Sequence, residues 1–148
     1  MCDFVSLAKC EELIGEFKCE MVHPSQDPRV MAGQGTIGLE IAAQVQGQLD
    51  VIIIPVGGGG LISGISTAIK SLWPGVKIVA AEPEAVDDCK VSFQKAQRVV
   101  TEKKFTVCDG VRTNIGENTW PMIQSLVDDV ITVSDVQVAK GTFQINRW

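Results

Sequence analysis

One stretch, residues 50–70, constrains the fold more than any other part of the chain. It reads DVIIIPVGGGGLISGISTAIK: an apolar run rich in β-branched residues, four consecutive glycines, then apolar residues that recur every three or four positions. The run at 51–56 predicts a strand buried on both faces, as in a parallel sheet. The later spacing predicts an amphipathic helix. Strand, loop and helix make half of a β–α–β unit, so the sequence predicts an α/β fold.

The glycine run itself predicts a phosphate site, formed by Gly57, Gly58, Gly59 and Gly60. Glycines permit positive φ angles and close approach to the main chain. Successive N–H groups and the start of the following helix attract an anion. The loop has neither a Walker A ending nor a G-x-G-x-x-G pattern, which disfavours a small nucleotide-binding dehydrogenase domain. A tight turn with close packing would need the same glycines and remains an alternative.

Composition and charge narrow the function classes. The 148 residues are 45% hydrophobic and 21% charged, as in a soluble globular protein, and 148 residues suffice for one domain. The net charge of −5 argues against a nucleic-acid or anionic-membrane partner. Five cysteines without a C-x-x-C pair predict neither a zinc site nor a disulfide framework. No apolar run is long enough to span a bilayer, so we expect a cytoplasmic protein with reduced thiols.

Patterns elsewhere in the chain predict short helices and strands. Helices are expected over 6–17, 30–45, from Asp87 or Asp88 to about 98, and after Asn118 or Thr119; strands are expected over 20–23, 76–81 and 130–133. Ser134 or Asp135 could open a last helix that we do not expect to become established, and Trp148 is expected to be exposed or to meet a partner surface. Gly33, Gly35 and Gly38 weaken the second helix, and packing against a neighbouring strand is the favoured reason. His23, the only histidine, is expected to be structural rather than catalytic.

An acidic cluster follows the second strand of the predicted unit. Two strands joined by a helix are parallel, and ligands bind beyond the carboxyl ends of such strands. Glu82 closes the second strand, and Asp87 and Asp88 follow it. These carboxylates could hold a hard divalent cation, or one aspartate could cap the next helix. The residues alone favour capping.

Four stretches together resemble one family of enzymes. They are MVHPSQDPRVMAGQGTIGLEI from Met21, DVIIIPVGGGGLISGI from Asp50, AAEPEAVDDC from Ala80 and DGVRTNIGENTWPMIQSLVDDVITVSD from Asp109. They look like the serine racemases and serine/threonine dehydratases, pyridoxal-phosphate (PLP) enzymes of the tryptophan-synthase-β fold type. The resemblance covers about residues 21–135. It implies part of the large PLP-binding domain, an open parallel sheet with flanking helices, preceded by a helical segment at 1–20 and followed by a divergent tail at 136–148.

The resemblance also implies site residues. The four glycines at 57–60 match the loop that binds the cofactor phosphate, and Gly110 matches a glycine near the cofactor ring. The family's Mg²⁺ or Ca²⁺ site matches the side chains of Glu82 and Asp88 and the main-chain carbonyl of Val86, which reverses the preference for capping. In the complete enzyme the substrates would be L-serine or L-threonine.

Three further motifs of the family have no match in this chain. They are the S-x-K-x-R-G-A-like motif with the lysine that binds the cofactor covalently, the Ser-x-Gly-Asn-His loop, and a later glycine-rich segment. The lysines present, such as Lys9, Lys18, Lys70 and Lys90, match none of them. The resemblance therefore implies a central fragment of a serine racemase or ammonia-lyase that is inactive alone, with an open sheet edge. The alternative is a non-catalytic short form that associates with full-length subunits and modulates them, and a homodimer is also possible.

Overall fold

The computed structural model describes residues 2–102 and 104–145, which form an α/β fold. In chain order the elements are α1 (Cys2–Phe17), α2 (Pro28–Gln44), β1 (Val51–Pro55), α3 (Gly60–Leu72), β2 (Lys77–Pro83), α4 (Asp88–Lys95), a 3₁₀ turn (Asp109–Val111), α5 (Trp120–Leu126), β3 (Asp129–Val133) and α6 (Asp135–Ile145). The strands form one open sheet in the order β1-β2-β3. Both pairs are parallel. The predicted fold class is confirmed.

The core lies on one face of this sheet. In the parallel register Ile54 pairs with Ala80, and Ala80 with Val130. All three belong to one buried cluster with apolar residues of α3 and α5, including Ile62, Ile65, Ile69 and Ile123. Alternation along β1 turns its other side chains to the opposite face.

That opposite face differs from the expectation of a strand buried on both sides. Ile53 is 61% exposed and Val51 is 46% exposed, because no described element covers them. The β-branched run thus predicted the strand correctly, and it predicted a cover that the described residues do not supply.

Helix α2 packs closely against α3 through small residues. A Cβ on Gly38 would lie 2.8 Å from the Cβ of Ala68, and one on Gly35 would lie 3.3 Å from the carbonyl oxygen of Gly64. The glycines therefore serve packing, but against a helix and not against the strand that the sequence suggested. Gly33 has open space around its Cβ position, so packing does not explain it.

Three local predictions were wrong. Residues 20–23 form no strand and pair with no strand among the described residues. Helix α4 ends at Lys95 and not near 98, because Ala96 takes a left-handed φ of 50°. Helix α6 is formed: the N–H of Gln137 bonds the Ser134 hydroxyl, whose main-chain N–H bonds the Gln137 side chain, which is a capping box.

Two sequence expectations concern the surroundings of the protein. No helix in the described part of the chain is long and apolar enough to cross a membrane. Trp148 lies outside the described residues.

The glycine loop between β1 and α3 is tightly packed. Gly59, which precedes α3, has a left-handed φ of 88°, and a Cβ there would lie 2.6 Å from the hydroxyl oxygen of Thr119. The Thr119 hydroxyl donates a hydrogen bond to the carbonyl oxygen of Gly58 at 2.8 Å. The loop is therefore joined to the start of α5.

We expect Gly59→Ala to lower the free energy of unfolding by about 2–4 kcal/mol, because it adds both backbone strain and a clash with Thr119. Urea unfolding measures the change. Gly75→Ala is the matched control, because a Cβ at Gly75 meets no atom within 4 Å and the φ angle is not positive. Equal losses in the two variants would contradict this account of the loop.

Candidate functional site

A cavity of about 710 Å³ opens at the carboxyl end of β1. One wall is the glycine loop with Leu61. The facing walls come from residues 21–26, from Gln34 of α2 and from residues 110–114. The topology explains this position, because the loop leaves the sheet where a parallel strand ends and α3 begins.

The loop presents unsatisfied main-chain donors to this cavity. The first helical bond of α3 is from the N–H of Ser63 to the carbonyl of Gly59, at 3.0 Å. Within the described residues, the N–H groups of residues 57–62 meet no hydrogen-bond acceptor. The first N–H groups of any helix lack a partner within the helix, and the helix dipole adds positive potential there. This arrangement suits an anion such as a phosphate.

Close packing also requires these glycines. A Cβ on Gly57 would lie 2.9 Å from Val111 Cα, and one on Gly60 would lie 2.8 Å from Ser25 Cα. The packing alternative therefore explains why side chains are missing from the loop. It does not explain the unsatisfied N–H groups, which an anion would satisfy.

The cavity brings together residues that are distant in the sequence. Gly110, expected near the cofactor ring, lines it, and so do Thr113 and Asn114. His23 lines it as well, and Nδ1 of its ring accepts hydrogen bonds from the main chain of Ser25 and Gln26.

Sequence reasoning missed Ser25 and Gln26. Their place in the cavity depends on tertiary packing against the glycine loop more than 30 residues away, which no local spacing encodes.

The second candidate site lies where β2 ends and α4 begins. Glu82 and Asp88 are both buried, at 2% and 1% exposure. Glu82 accepts the main-chain N–H groups of Cys89 at 3.2 Å and Lys90 at 2.7 Å, and so it caps α4. Asp87 precedes the helix but makes no side-chain capping bond. The capping role expected of an aspartate is therefore filled by the preceding glutamate.

The two carboxyl groups are held at high electrostatic cost. Burial raises the pKa of Glu82 to about 8, with a contribution from the charge of Asp88. Burial likewise raises the pKa of Asp88 to about 6, although the main-chain N–H of Ile115 donates to its Oδ2 at 2.7 Å. Neither group forms an ion pair with a described lysine or arginine.

A divalent cation would supply the missing positive charge, since Mg²⁺ and Ca²⁺ prefer carboxylate and carbonyl oxygens. Across residues 2–102 and 104–145, no three His, Cys, Asp or Glu side chains are placed to hold a metal together. A metal here would need the carboxylates of Glu82 and Asp88 together with main-chain oxygen. Val86 is buried between them in sequence, and its carbonyl oxygen accepts no hydrogen bond from the described residues. The donor set therefore fits a hard cation.

Comparison with known proteins identifies the fold and the family. The family described as "Pyridoxal-phosphate dependent enzyme" matches residues 5–144. Serine racemase of Rattus norvegicus is 46% identical over 133 residues, which are 89% of this chain and 40% of that protein. The chain thus spans about two fifths of the length of that relative.

Two solved structures agree with this assignment. Maize serine racemase matches with a TM-score of 0.87 at 37% identity, over 90% of this chain and 42% of that one. A bacterial-type match, the threonine deaminase of the source abbreviated T.th., has a TM-score of 0.84 at 40% identity, over 87% of this chain and 49% of that one. The fold type and the resemblance deduced from the four motifs are confirmed. The chain belongs to the family of pyridoxal-phosphate-dependent enzymes.

Proposed function

We propose that this chain supplies the cofactor phosphate loop and a divalent-metal site to a PLP-dependent serine racemase or L-serine/L-threonine ammonia-lyase. The observation that carries the proposal is the row of unsatisfied N–H groups at residues 57–62, which faces the 710 Å³ cavity. The chain spans less than half of the enzymes it resembles, so the activity of the whole enzyme is part of the proposal.

The loop residues would hold the phosphate of the cofactor. Gly57, Gly58, Gly59 and Gly60 offer consecutive N–H groups, and the start of α3 adds its dipole. Gly110 and the residues after it would border the rest of the cofactor, because they form the facing wall. When bound, the cofactor supplies an electron sink that allows a proton to leave the α-carbon of an amino acid.

The metal would act on structure rather than on the substrate. Glu82 lies at the end of β2, and Asp88 opens α4 and bonds the main chain of Ile115. A Mg²⁺ or Ca²⁺ ion held by these carboxylates and by the Val86 carbonyl would fix three segments relative to one another. It would also offset the repulsion between two buried negative charges.

We propose that the chain does not catalyse the reaction alone. The motif that carries the family's covalently bound lysine has no match in its sequence. Without that lysine the cofactor is held only through non-covalent contacts, and no side chain is placed to exchange with the substrate amine.

We expect the chain to bind pyridoxamine 5′-phosphate, and to bind pyridoxamine much more weakly, because the phosphate provides the contacts to the loop. Fluorescence titration measures both affinities. Leu61→Pro should weaken the phosphate ligand about tenfold more than Leu61→Ala, because both variants shorten the side chain and only proline removes an N–H donor. Proline is tolerated in the first turn of a helix.

Three results would contradict the proposal: equal affinity for the two ligands, equal affinity of the two Leu61 variants, or turnover by the chain alone. With pyridoxal 5′-phosphate and L-serine, we expect neither D-serine nor pyruvate.

We expect Mg²⁺ or Ca²⁺ to raise the midpoint of thermal unfolding. An ion at a hundredfold its dissociation constant stabilises the folded state by about 2.7 kcal/mol. Glu82→Gln and Asp88→Asn should abolish the response, because each removes one ligand charge. Asp87→Asn is the matched control, since Asp87 is adjacent and makes no capping bond. A response that survives in both ligand variants, or is absent from the unmodified chain, would refute the metal site.

A second candidate function is favoured by the exposed side of the sheet. Val51 and Ile53 lie uncovered on β1, which is an edge strand. A chain with this surface could associate with full-length subunits of the enzyme and modulate them without catalysis. The partner would cover this face and extend the sheet beyond β1.

If this association occurs, the chain should co-purify with a tagged full-length serine racemase after co-expression, and Ile53→Lys should abolish the co-purification. Leu39→Lys is the matched control, because Leu39 is a 55% exposed apolar residue on α2, away from the sheet. Absence of co-purification, or equal loss in the two variants, would exclude this function.

A further inference from the structure

The imidazole of His23 organises a tight turn beside the glycine loop. Its Nδ1 accepts the main-chain N–H of Ser25 at 3.2 Å and that of Gln26 at 3.1 Å. Residues 24–26 form the turn, directly before α2. One side-chain atom thus satisfies two successive main-chain donors, which fixes the direction of the chain at this point.

These two bonds determine the chemical state of the ring. A main-chain N–H can only donate, so Nδ1 must carry no proton, and the neutral ring carries its proton on Nε2. Nε2 lies 3.3 Å from the side-chain amide of Gln26. Since both ring nitrogens are engaged within the turn, His23 is not available as a general base in the cavity.

The turn forms part of the wall that encloses the glycine loop. Ser25 contacts the positions where Gly58 and Gly60 would carry a Cβ, at its hydroxyl and at its main chain respectively. The carbonyl of Gln26 accepts from the side-chain amide of Asn118 at 3.1 Å, so the turn is also tied to the segment before α5.

The segment before α5 reaches the same loop from the other side. The N–H of Gly116 donates to the carbonyl oxygen of Gly58 at 3.2 Å, and the Gln26 side chain occupies the space where Gly116 would carry a Cβ. The turn held by His23 therefore contacts the glycine loop directly through Ser25 and indirectly through Gln26 and Gly116.

We propose that His23 is a positioning residue for the phosphate-binding loop: Nδ1 of the ring fixes the 24–26 turn, and the turn fixes the loop. The inference deepens the proposed function and rests on it for the identity of the ligand. The link from His23 to the loop is a property of the chain itself, so it can be tested separately.

Two substitutions separate the Nδ1 acceptor from the rest of the ring. The side-chain oxygen of asparagine is bonded to Cγ, as Nδ1 of histidine is, so His23→Asn keeps an acceptor for the two main-chain N–H groups. Glutamine places its oxygen one carbon further out, so His23→Gln loses the acceptor while its side chain stays polar.

The first measurement uses NMR of the whole 148-residue chain and needs no ligand. We expect the ¹⁵N shifts of His23 to show an unprotonated Nδ1 and a protonated Nε2. Amide exchange at Ser25, Gln26 and Gly116 should be about tenfold faster in His23→Gln than in His23→Asn, because two hydrogen bonds are lost. Exchange at Val130, in β3, should be the same in both and reports that the fold is intact.

The second measurement is titration with pyridoxamine 5′-phosphate, which has no aldehyde to react with lysines. His23→Asn should stay within about threefold of the unmodified chain, and His23→Gln should bind about tenfold more weakly. A protonated Nδ1, or equal exchange at Gly116 in the two variants, overturns the positioning role whether or not the ligand binds. Equal affinities in the two variants also overturn it. If exchange differs as expected but the unmodified chain does not bind the ligand, the proposed phosphate site fails and the positioning role stands.

Discussion

The carbonyl oxygen of Gly58 accepts two hydrogen bonds, from the Thr119 hydroxyl at 2.8 Å and from the N–H of Gly116 at 3.2 Å. Both donors come from the segment that leads into α5, so they pull the carbonyl side of the loop toward that segment. The N–H groups of residues 57–62 are left without acceptors among the described residues. The candidate phosphate site thus depends on a contact between segments about 60 residues apart, which sets the orientation of the whole loop.

The same economy of groups occurs at the acidic site. Both oxygens of Glu82 accept main-chain N–H groups of α4, and Asp88 accepts the N–H of Ile115. Each carboxylate oxygen can accept more than one partner, so these bonds do not prevent metal coordination. Capping and metal binding, which the sequence presented as alternatives, are compatible. The same carboxylates that hold β2, α4 and residue 115 together are also the ones that lack a counter-charge.

The sequence predicted what depends on local pattern and motif. The β-branched run, the glycine loop and the following helix were placed within one residue or so, and the four family motifs identified the fold. Tertiary contacts were not predictable in this way. Glu82 replaced Asp87 as the cap because burial placed it at the helix start, and the acceptor role of His23 depends on a turn that no spacing rule specifies. Helix α6 is different: its Ser134 to Gln137 capping box was readable from the sequence and was undervalued.

The uncovered side of the sheet limits how any partner could bind. Burying one apolar side chain of this size contributes about 1.5–3 kcal/mol, so Val51 and Ile53 alone would contribute about 3–6 kcal/mol. Association costs about 4–15 kcal/mol in lost freedom of motion. A contact restricted to these two residues would therefore be too weak. A stable complex would have to cover the rest of that face as well, including the half-exposed Val79 and Ile131 of the neighbouring strands.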